Sequence, residues 1–326
     1  MGATRRTFLK AVGAGLVAAA AGPPRPAAAQ QLVPFKIGPV VVGDFSINTP
    51  LFVAAEKGFF RENGIAAEMI PFKGGPDLVK GVLSGAVELG VTGATDPFVF
   101  RERGTMIRAV AEMTKKNHFT LVVAPKIQKL EDLKGGTIGV TAVGSTTWVF
   151  ARLIAKKMGW DPERDVRIVG AGGIDSNVAG MRRGELQGII VADAGAVVEA
   201  EGVGRILMRL DEITPKWVSI VAYAKDETIR SKPEVLRKVV RAYVQGDRFV
   251  RDNPEESIRI AAKGIGWSEA ATRRAYELVR PLLTTDGQID LEGFRFIQDT
   301  LLEVGVLKKR LPFEDHYTTE FTPVRP

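Results

Sequence analysis

The chain has 326 residues, of which 45% are hydrophobic, and this predicts a globular protein of roughly two domains with a substantial core. It contains no cysteine, which excludes disulfides, thiolate metal sites, a cysteine nucleophile and a lipid-modified N-terminal cysteine. The net charge of +7 falls by four once residues 1–29 are set aside, because they hold four basic and no acidic residues, and the remaining excess is too small to predict nucleic-acid binding.

The first element is a predicted export signal. Arg5 and Arg6, followed by Phe-Leu-Lys, precede an apolar stretch over 11–21 that is too short to cross about 30 Å of hydrocarbon as a helix. The paired arginines resemble the twin-arginine export signal, and Ala29 ends a run of small residues typical of a cleavage site. We expect cleavage after Ala29 and a periplasmic protein. A membrane anchor is the alternative, but no later segment reaches about 18 uninterrupted apolar residues.

From residue 35 onward, short apolar runs alternate with amphipathic stretches of helix length. This alternation predicts an α/β protein with largely parallel sheets. We expect strands over 35–42, 65–72, 87–91 and 119–123. The predicted helices cover 49–61 and 76–84, and a further helix follows a cap and a proline at 95–97. The chain then enters a second lobe near residue 124.

The second lobe repeats the arrangement. Strands are predicted over 137–140, 166–169 and 189–191, with helices from 144 and from a cap at Asp175. The β-prone run 217–224 would carry the chain back, so that crossings near 124 and 224 form a two-stranded hinge. Helices beginning near 231, 254, 268 and 291 are expected to pack on the first lobe.

The loops at the carboxyl ends of these strands are the candidate ligand site. In an open parallel sheet they meet in one crevice, and the helices after them point free amides into it. Glycines allow close approach, and helix N-termini favour a small anionic group, most strongly at 144–147. The alternative is that these residues only cap helices or, for Trp217, only pack. The candidate ligand-binding residues are Phe45, Ser46, Asn48, Gly74, Thr92, Gly93, Ala94, Thr95, Gly144, Ser145, Thr146, Thr147, Gly172, Gly173, Asp175, Asp193 and Trp217.

Enzyme signatures are missing from the sequence. It holds no G-x-S-x-G elbow, P-loop, H-E-x-x-H motif or complete G-x-G-x-x-G loop. The only histidines, His118 and His316, are far apart, which argues against a histidine-rich metal site or a Ser/His/Asp triad. We therefore predict no catalytic residue, no metal and no cofactor.

Four segments carry a family resemblance: AAEKGFFRENG at 54–64, KGG at 73–75, LKGGTIGV at 133–140 and MRRGELQG at 181–188. In this order they resemble the nitrate, sulfonate, taurine and thiamine-precursor group of ABC-transporter solute-binding proteins. The resemblance implies the type II periplasmic-binding-protein fold. Lobe one would then comprise 30–124 plus 217–326, and lobe two 125–216.

The resemblance also implies a function. A small organic solute (a sulfonate, a carboxylate or a pyrimidine-like compound) would bind between the lobes, close them, and be delivered by a monomeric receptor to an ABC permease. The matching ligand loops lie around Ser46, 92–95, 145–147 and 172–175. This chain departs from its relatives at Asp193, where they often have proline or an aromatic, and an inward Asp193 would repel an anion. The alternatives are an enzyme like the thiamine-pyrimidine synthases, whose cysteine-rich motif is absent here, and a receptor for a membrane kinase.

Overall fold

The computed structural model describes residues 31–325, so the predicted signal over 1–29 lies outside the described residues. Within this range, short strands alternate with helices. The strands are β1 (Val33–Pro39), β2 (Ile65–Met69), β3 (Leu89–Gly93), β4 (Ile107–Thr114), β5 (Thr120–Val123), β6 (Thr137–Val140), β7 (Arg167–Gly170), β8 (Gly188–Val191), β9 (Arg205–Arg209) and β10 (Ile220–Lys225).

The helices follow the strands along the chain and then form a continuous C-terminal set. They are α1 (Phe45–Glu56), α2 (Phe59–Glu62), α3 (Gly75–Ser84), α4 (Asp96–Glu102), α5 (Thr146–Lys157), α6 (Ile174–Arg182), α7 (Ala194–Ala200), α8 (Asp226–Ser231), α9 (Pro233–Asp252), α10 (Pro254–Ile265), α11 (Glu269–Val279) and α12 (Leu291–Glu303). No helix within residues 31–325 combines the length and the apolar character that a membrane span requires.

The strands form two five-stranded sheets of matching design. The first has the order β2-β1-β3-β10-β4 and the second the order β7-β6-β8-β5-β9. In each sheet four strands run in the same direction, and the fifth, β10 or β5, pairs antiparallel with both of its neighbours. The central strands β3 and β8 are buried along their whole length, as expected for strands covered by helices on both faces.

The chain changes sheets earlier than predicted. The boundary at residue 124 assigned the run 119–123 to lobe one, but β5 pairs with β8 and β9 of the second sheet. The first crossing therefore lies over 115–119 and the return over 210–219. The two crossings contact each other, since Asn117 Nδ2 donates to Thr214 Oγ1 at 2.6 Å and Ser219 N donates to Thr114 O at 3.0 Å. The division into two lobes at given residues stays a prediction.

Two strands were missed and one helix begins earlier than predicted. Neither β4 nor β9 was predicted; β4 carries Arg108 and Glu112, which interrupt its apolar run. Helix α1 begins at Phe45 and not at Thr49, because the Asp44 side chain accepts from Ile47 N and caps the helix four residues earlier.

The C-terminal helices pack largely against the first sheet. Helix α9 contacts α1, α2, β2 and β4, and α10 contacts α1. Tyr243 of α9 donates a hydrogen bond at 2.8 Å to the backbone carbonyl of Ile47 in α1. Helix α11 also contacts α7, which follows β8 of the second sheet. The C-terminal region therefore holds α1, and with it the rim of the cleft, in a fixed position.

Candidate ligand-binding site

A cavity of about 50 Å³ lies between the two sheets. Its walls come from the carboxyl ends of β1 and β3 in one sheet and of β6 and β8 in the other. A single water needs roughly 10–15 Å³, so the cavity suits a small solute. The predicted site residues that line it are Gly74, Thr92, Gly93, Ser145, Thr146 and Thr147.

The hydroxyl-rich wall is built by the turn before α5. Ser145 caps the helix by accepting from Trp148 N at 3.4 Å, and Thr147 Oγ1 accepts from Thr141 N at 3.0 Å. The backbone amides of Thr146 and Thr147 belong to the first turn of the helix and have no acceptor within it. This part of the wall therefore presents hydrogen-bond donors and the positive end of a helix dipole.

The two sheets touch directly beside the cavity. Thr95 Oγ1 and Thr146 Oγ1 lie 2.5 Å apart across the cleft. A Cβ atom added to Gly93 would lie 2.2 Å from Thr146 Oγ1, so only glycine permits this approach. The arrangement is thus a closed one, with residues of both lobes in contact around the enclosed space.

An acidic cluster borders the same cavity. Asp44, which lines it, uses Oδ1 to accept from Ile47 N at 3.1 Å and from Ser46 Oγ at 2.7 Å. Asp193 follows β8 and uses Oδ2 to accept from Ser46 N at 2.9 Å. His118 lies in the first crossing, with Nδ1 2.9 Å from Ser219 Oγ. One side-chain oxygen or nitrogen from each of Asp44, His118 and Asp193 lies within 4.8 Å of the other two.

Burial controls the protonation of this cluster. Desolvation raises the pKa of Asp44 to about 6, and it raises the pKa of Asp193 well above its usual value, with the Asp44 charge adding to the effect. Desolvation lowers the pKa of His118 to about 4, so its imidazole is neutral at pH 7. None of the cavity-lining residues, all of which are described, has a cationic side chain.

Several predicted site residues do not line the cavity but support the structure next to it. Ser46 lies in the first turn of α1, and Asn48 Nδ2 donates to Val41 O at 2.8 Å. Thr95 reaches the cavity region only through Thr146, and Ala94 belongs to the core. Gly144 supplies a turn with φ of 87° before the cap of α5.

Other predicted residues lie away from the cavity. Phe45 packs edge-on against Tyr276 at 6.1 Å, in a separate apolar cluster. Trp217 is fully buried, with its ring 4.8 Å from that of Phe150, which agrees with the packing alternative.

The turn before α6 also differs from expectation. Asp175 was predicted to cap this helix, but Gly173 occupies the cap and Asp175 is exposed in the first turn. Gly172 supplies the turn itself with φ of 90°. Gly173 and Asp175 border a neighbouring surface pocket beside Trp267 and not the enclosed cavity.

Four polar residues around the cavity are not among the predicted site residues. Asp44 begins the loop 44–48, which was itself one of the predicted ligand loops. Thr141 directly follows β6, so the rule that ligands bind at carboxyl ends of strands could have found it. Asn177 and His118 gave no signal, because a helix interior and a chain crossing bring them to the cleft.

The family described as "NMT1/THI5 like" matches residues 47–257, about two thirds of the chain, and the chain belongs to this family. A protein of Brucella abortus named as a binding protein is 24% identical over 315 residues, covering 89% of this chain and 91% of the relative. The formylaminopyrimidine-binding protein of Halalkalibacterium halodurans is 22% identical over 66% of each chain. A 4-amino-5-hydroxymethyl-2-methylpyrimidine phosphate synthase of Saccharomyces cerevisiae is 22% identical over 63% of this chain and 64% of its own.

Solved structures give the same fold. The alkanesulfonate-binding protein SsuA from Xanthomonas axonopodis pv. citri, bound to MOPS, has a TM-score of 0.73 at 18% identity, covering 85% of this chain and 95% of that one. The periplasmic nitrate-binding protein NrtA from Synechocystis PCC 6803 has a TM-score of 0.69 at 14% identity, covering 85% and 83%. The predicted family and the predicted periplasmic-binding-protein fold of two α/β lobes are confirmed.

Proposed function

We propose that this member of the NMT1/THI5-like family is a periplasmic receptor that captures a small organic solute between its lobes and delivers it to an ABC importer. The observation that carries the proposal is the cavity between the carboxyl ends of both sheets. A solute held there contacts β3 of the first sheet and the start of α5 beside the second sheet at the same time. It therefore binds the closed arrangement of the lobes more tightly than an open one, and this difference in affinity shifts the population toward the closed form.

The relatives support a binding role. The Brucella and Halalkalibacterium relatives are named as binding proteins, and the SsuA and NrtA structures are named for alkanesulfonate and nitrate. We propose by analogy that the lobes divide near the two crossings, that the receptor acts as a monomer, and that the exported protein begins after Ala29. The closed lobes would form the surface that a permease recognises.

The cavity wall favours an uncharged solute over an anion in the metal-free protein. Its donors are the hydroxyls and amides at the start of α5, which suit ring nitrogens and carbonyl oxygens as well as anions. The carboxyl group of Asp44 faces the same space without a cationic side chain to offset it. We therefore place pyrimidine-like compounds ahead of sulfonates and carboxylates. The Halalkalibacterium relative, named for a formylaminopyrimidine, is consistent with this order.

An enzyme like the yeast synthase is the competing function. The sequence similarity to that synthase is its support, since it extends over 63% of this chain. The absence of cysteine in this chain argues against this function, because an enzyme like these synthases would need their cysteine-rich motif. We propose a receptor without catalytic residues. A receptor that signals to a membrane kinase would use the same closure, and an uptake measurement separates it from an importer component.

A thermal-shift screen tests the solute-binding role. The protein without its first 29 residues is treated with chelator and mixed with pyrimidines, sulfonates, and aromatic and aliphatic carboxylates. A ligand present at about 100 times its Kd stabilises the protein by about 2.7 kcal/mol, which is a shift of several degrees. We expect the largest shift from a pyrimidine-like compound.

Matched variants locate the binding. Thr147→Val removes a hydroxyl from the cavity wall and should weaken binding at least tenfold, whereas Thr105→Val, which removes a buried hydroxyl outside the cavity, should not. Deleting the gene should abolish uptake of the same compound. A screen without a shift in any class contradicts solute capture, and a hit whose uptake survives the deletion contradicts delivery to an importer.

A further inference from the structure

We propose that Asp44, His118 and Asp193 form a binding site for a divalent transition-metal ion such as Zn²⁺. The three residues come from separate parts of the chain, and one potential ligand atom of each lies within 4.8 Å of the other two. All three are buried, with exposures of 6%, 2% and 0% respectively. The sequence predicted no metal because its two histidines are far apart, but this site needs only one.

The donor set suits such an ion. Zn²⁺ binds imidazole nitrogen and carboxylate oxygen at about 2.0–2.2 Å, and many zinc sites with three protein ligands keep a further position open. The two negative charges of the Asp44 and Asp193 carboxylates would balance the two positive charges of a divalent cation. One imidazole with two carboxylates also fits other divalent ions of the first transition row. The affinity of such a site rises along the series from Mn²⁺ to Cu²⁺ and is lower again for Zn²⁺.

Two polar atoms of these three residues have no protein partner. His118 Nε2 and Asp193 Oδ1 are both buried and make no hydrogen bond in the described structure. Buried polar atoms are almost always paired in folded proteins, and an unfilled ion site is one recognised reason for an exception. The two orphaned atoms belong to two of the three residues in the same cluster.

One polar atom of each of the three side chains is held in place by a hydrogen bond. His118 Nδ1 lies 2.9 Å from Ser219 Oγ, and Asp193 Oδ2 accepts from Ser46 N at 2.9 Å. Asp44 Oδ1 accepts from Ile47 N at 3.1 Å. Metal ligands are typically oriented in this way, by hydrogen bonds to the atom that does not face the ion. A neutral His118 that donates from Nδ1 to Ser219 would present the Nε2 lone pair to the ion.

The position of the site gives the ion a structural role. Asp44 follows β1 of the first sheet, Asp193 follows β8 of the second, and His118 lies in the crossing between the sheets. An ion bound to all three would join both lobes to the hinge and favour the closed arrangement. It would also neutralise the Asp44 charge on the cavity wall, so the preference against anionic solutes would weaken in the metal-loaded protein.

Metal titration in the absence of any solute tests the site. Protein dialysed against chelator is titrated with ZnCl₂ by calorimetry, and with CoCl₂ while the visible absorption of bound Co²⁺ is recorded. We expect one ion per chain with a Kd in the micromolar range or below. His118→Asn and Asp193→Asn should each weaken binding at least 100-fold, since even outer partners of metal ligands contribute 10–100-fold.

The chain offers matched controls. His316 is the other histidine and is equally buried, but its two ring nitrogens lie near Gln298 Nε2 and Pro97 O, so His316→Asn should bind metal as the wild type does. Asp96 lies outside the cluster and is a buried carboxyl group without hydrogen-bond partners in the described structure. Asp96→Asn should therefore likewise keep the wild-type affinity for the metal.

Circular dichroism establishes that each variant is folded. If His118→Asn does not fold, Ser219→Ala replaces it: all three ligands remain, the orienting hydroxyl is lost, and we expect a loss of about tenfold. Wild-type protein that binds no ion at 1:1 stoichiometry overturns the proposal. The proposal is also overturned if the folded His118→Asn variant binds the ion with wild-type affinity. If Ser219→Ala has replaced that variant, wild-type affinity in Ser219→Ala overturns the proposal in the same way. Because no solute is present, neither result bears on the proposal of solute capture, which the thermal-shift screen tests separately.

Discussion

The carboxylate of Asp193 accepts a hydrogen bond at 2.9 Å from the backbone N–H of Ser46, 147 residues earlier in the chain. Ser46 lies in the first turn of α1 in the first lobe, while Asp193 follows β8 in the second lobe. The second lobe thus places a carboxylate where the N-terminus of α1 would attract an anion. An anionic solute would have to displace this internal group, which is a physical reason to expect another solute class.

Replacing Asp193 separates its hydrogen bond from its charge. Asp193→Ala leaves the Ser46 amide without an acceptor, and we expect a loss of about 1–3 kcal/mol in the free energy of unfolding. Asp193→Asn keeps an acceptor and cannot ionise beside Asp44, so its loss should be smaller. Urea unfolding in the presence of chelator measures both. Equal losses in the two variants would show that the hydrogen bond contributes little.

Gly93 controls the approach of the lobes. A Cβ atom at this position would lie 2.2 Å from Thr146 Oγ1 and 2.7 Å from its Cβ. We expect Gly93→Ala to fold but to bind the screened solute at least tenfold more weakly, because the closed form is obstructed. Thr146→Gly in the same protein should restore part of the affinity. Calorimetric titration with the solute provides the measurement.

Gly173 is the matched control for this substitution. An added Cβ there meets no atom within 4 Å, so Gly173→Ala should leave solute affinity unchanged. Equal weakening in Gly93→Ala and Gly173→Ala would mean that the effect comes from helix or turn propensity and not from obstruction of closure.

Glu112 makes the stability depend on pH. Burial raises its pKa to about 8; the hydrogen bond from Asp290 N and the charge of Lys115 oppose this rise, while the charges of Asp290 and Asp286 add to it. The folded state therefore holds a proton that the unfolded state releases near pH 4.5, so the contribution of Glu112 to stability is fully present below that pH and is lost as the pH rises toward 8. The loss should be a few kcal/mol at most.

Glu112→Gln should reduce this pH dependence. The amide oxygen can still accept the hydrogen bond that Asp290 N donates to Glu112 at 2.7 Å, but no charge is buried at high pH. Urea midpoints at pH 5 and pH 8 should lie closer together than in the wild type. Glu234→Gln, at a side chain that is 78% exposed, is the control. An unchanged difference in Glu112→Gln would mean that other buried carboxyl groups cause the trend.

Asp226 is the centre of a buried ion pair network. Its carboxylate lies 3.3 Å from Arg101 Nη1 and 3.0 Å from Arg108 Nε, with 5% exposure at the aspartate and 7% at Arg101. Asp226→Ala removes the buried carboxylate beside Arg101, whose remaining ion pair is with the exposed Asp315 at 3.7 Å, and we expect a loss of about 3–5 kcal/mol in the free energy of unfolding.

An exposed pair gives the comparison for this network. Glu185→Ala breaks the pair with Arg183, where both side chains are at least 58% exposed. We expect this change to cost much less than Asp226→Ala, because solvent screens the charges. Losses of similar size in the two alanine variants would contradict the role of burial.

The sequence was sufficient for features that depend on neighbouring residues. Strand β6 has the predicted limits 137–140, and Ser145 caps α5 within the turn that was singled out. Both follow from short-range patterns, namely β-prone runs between glycines and hydroxyl residues before amphipathic helices. The same patterns supported the family and the two-lobed fold, because those segments occur in order along the chain.

Only the tertiary structure decided which sheet β5 joins and which polar groups meet in the cleft. The partners of β5 lie in β8 and β9, and the contacts of Asp193 with Ser46 and of His118 with Ser219 each span more than 100 residues. Such contacts leave no periodic signal in a single sequence. They exist because the carboxyl ends of the two sheets face one cavity and their loops are buried together around it, and the charge of those loops then determines what the cavity can hold.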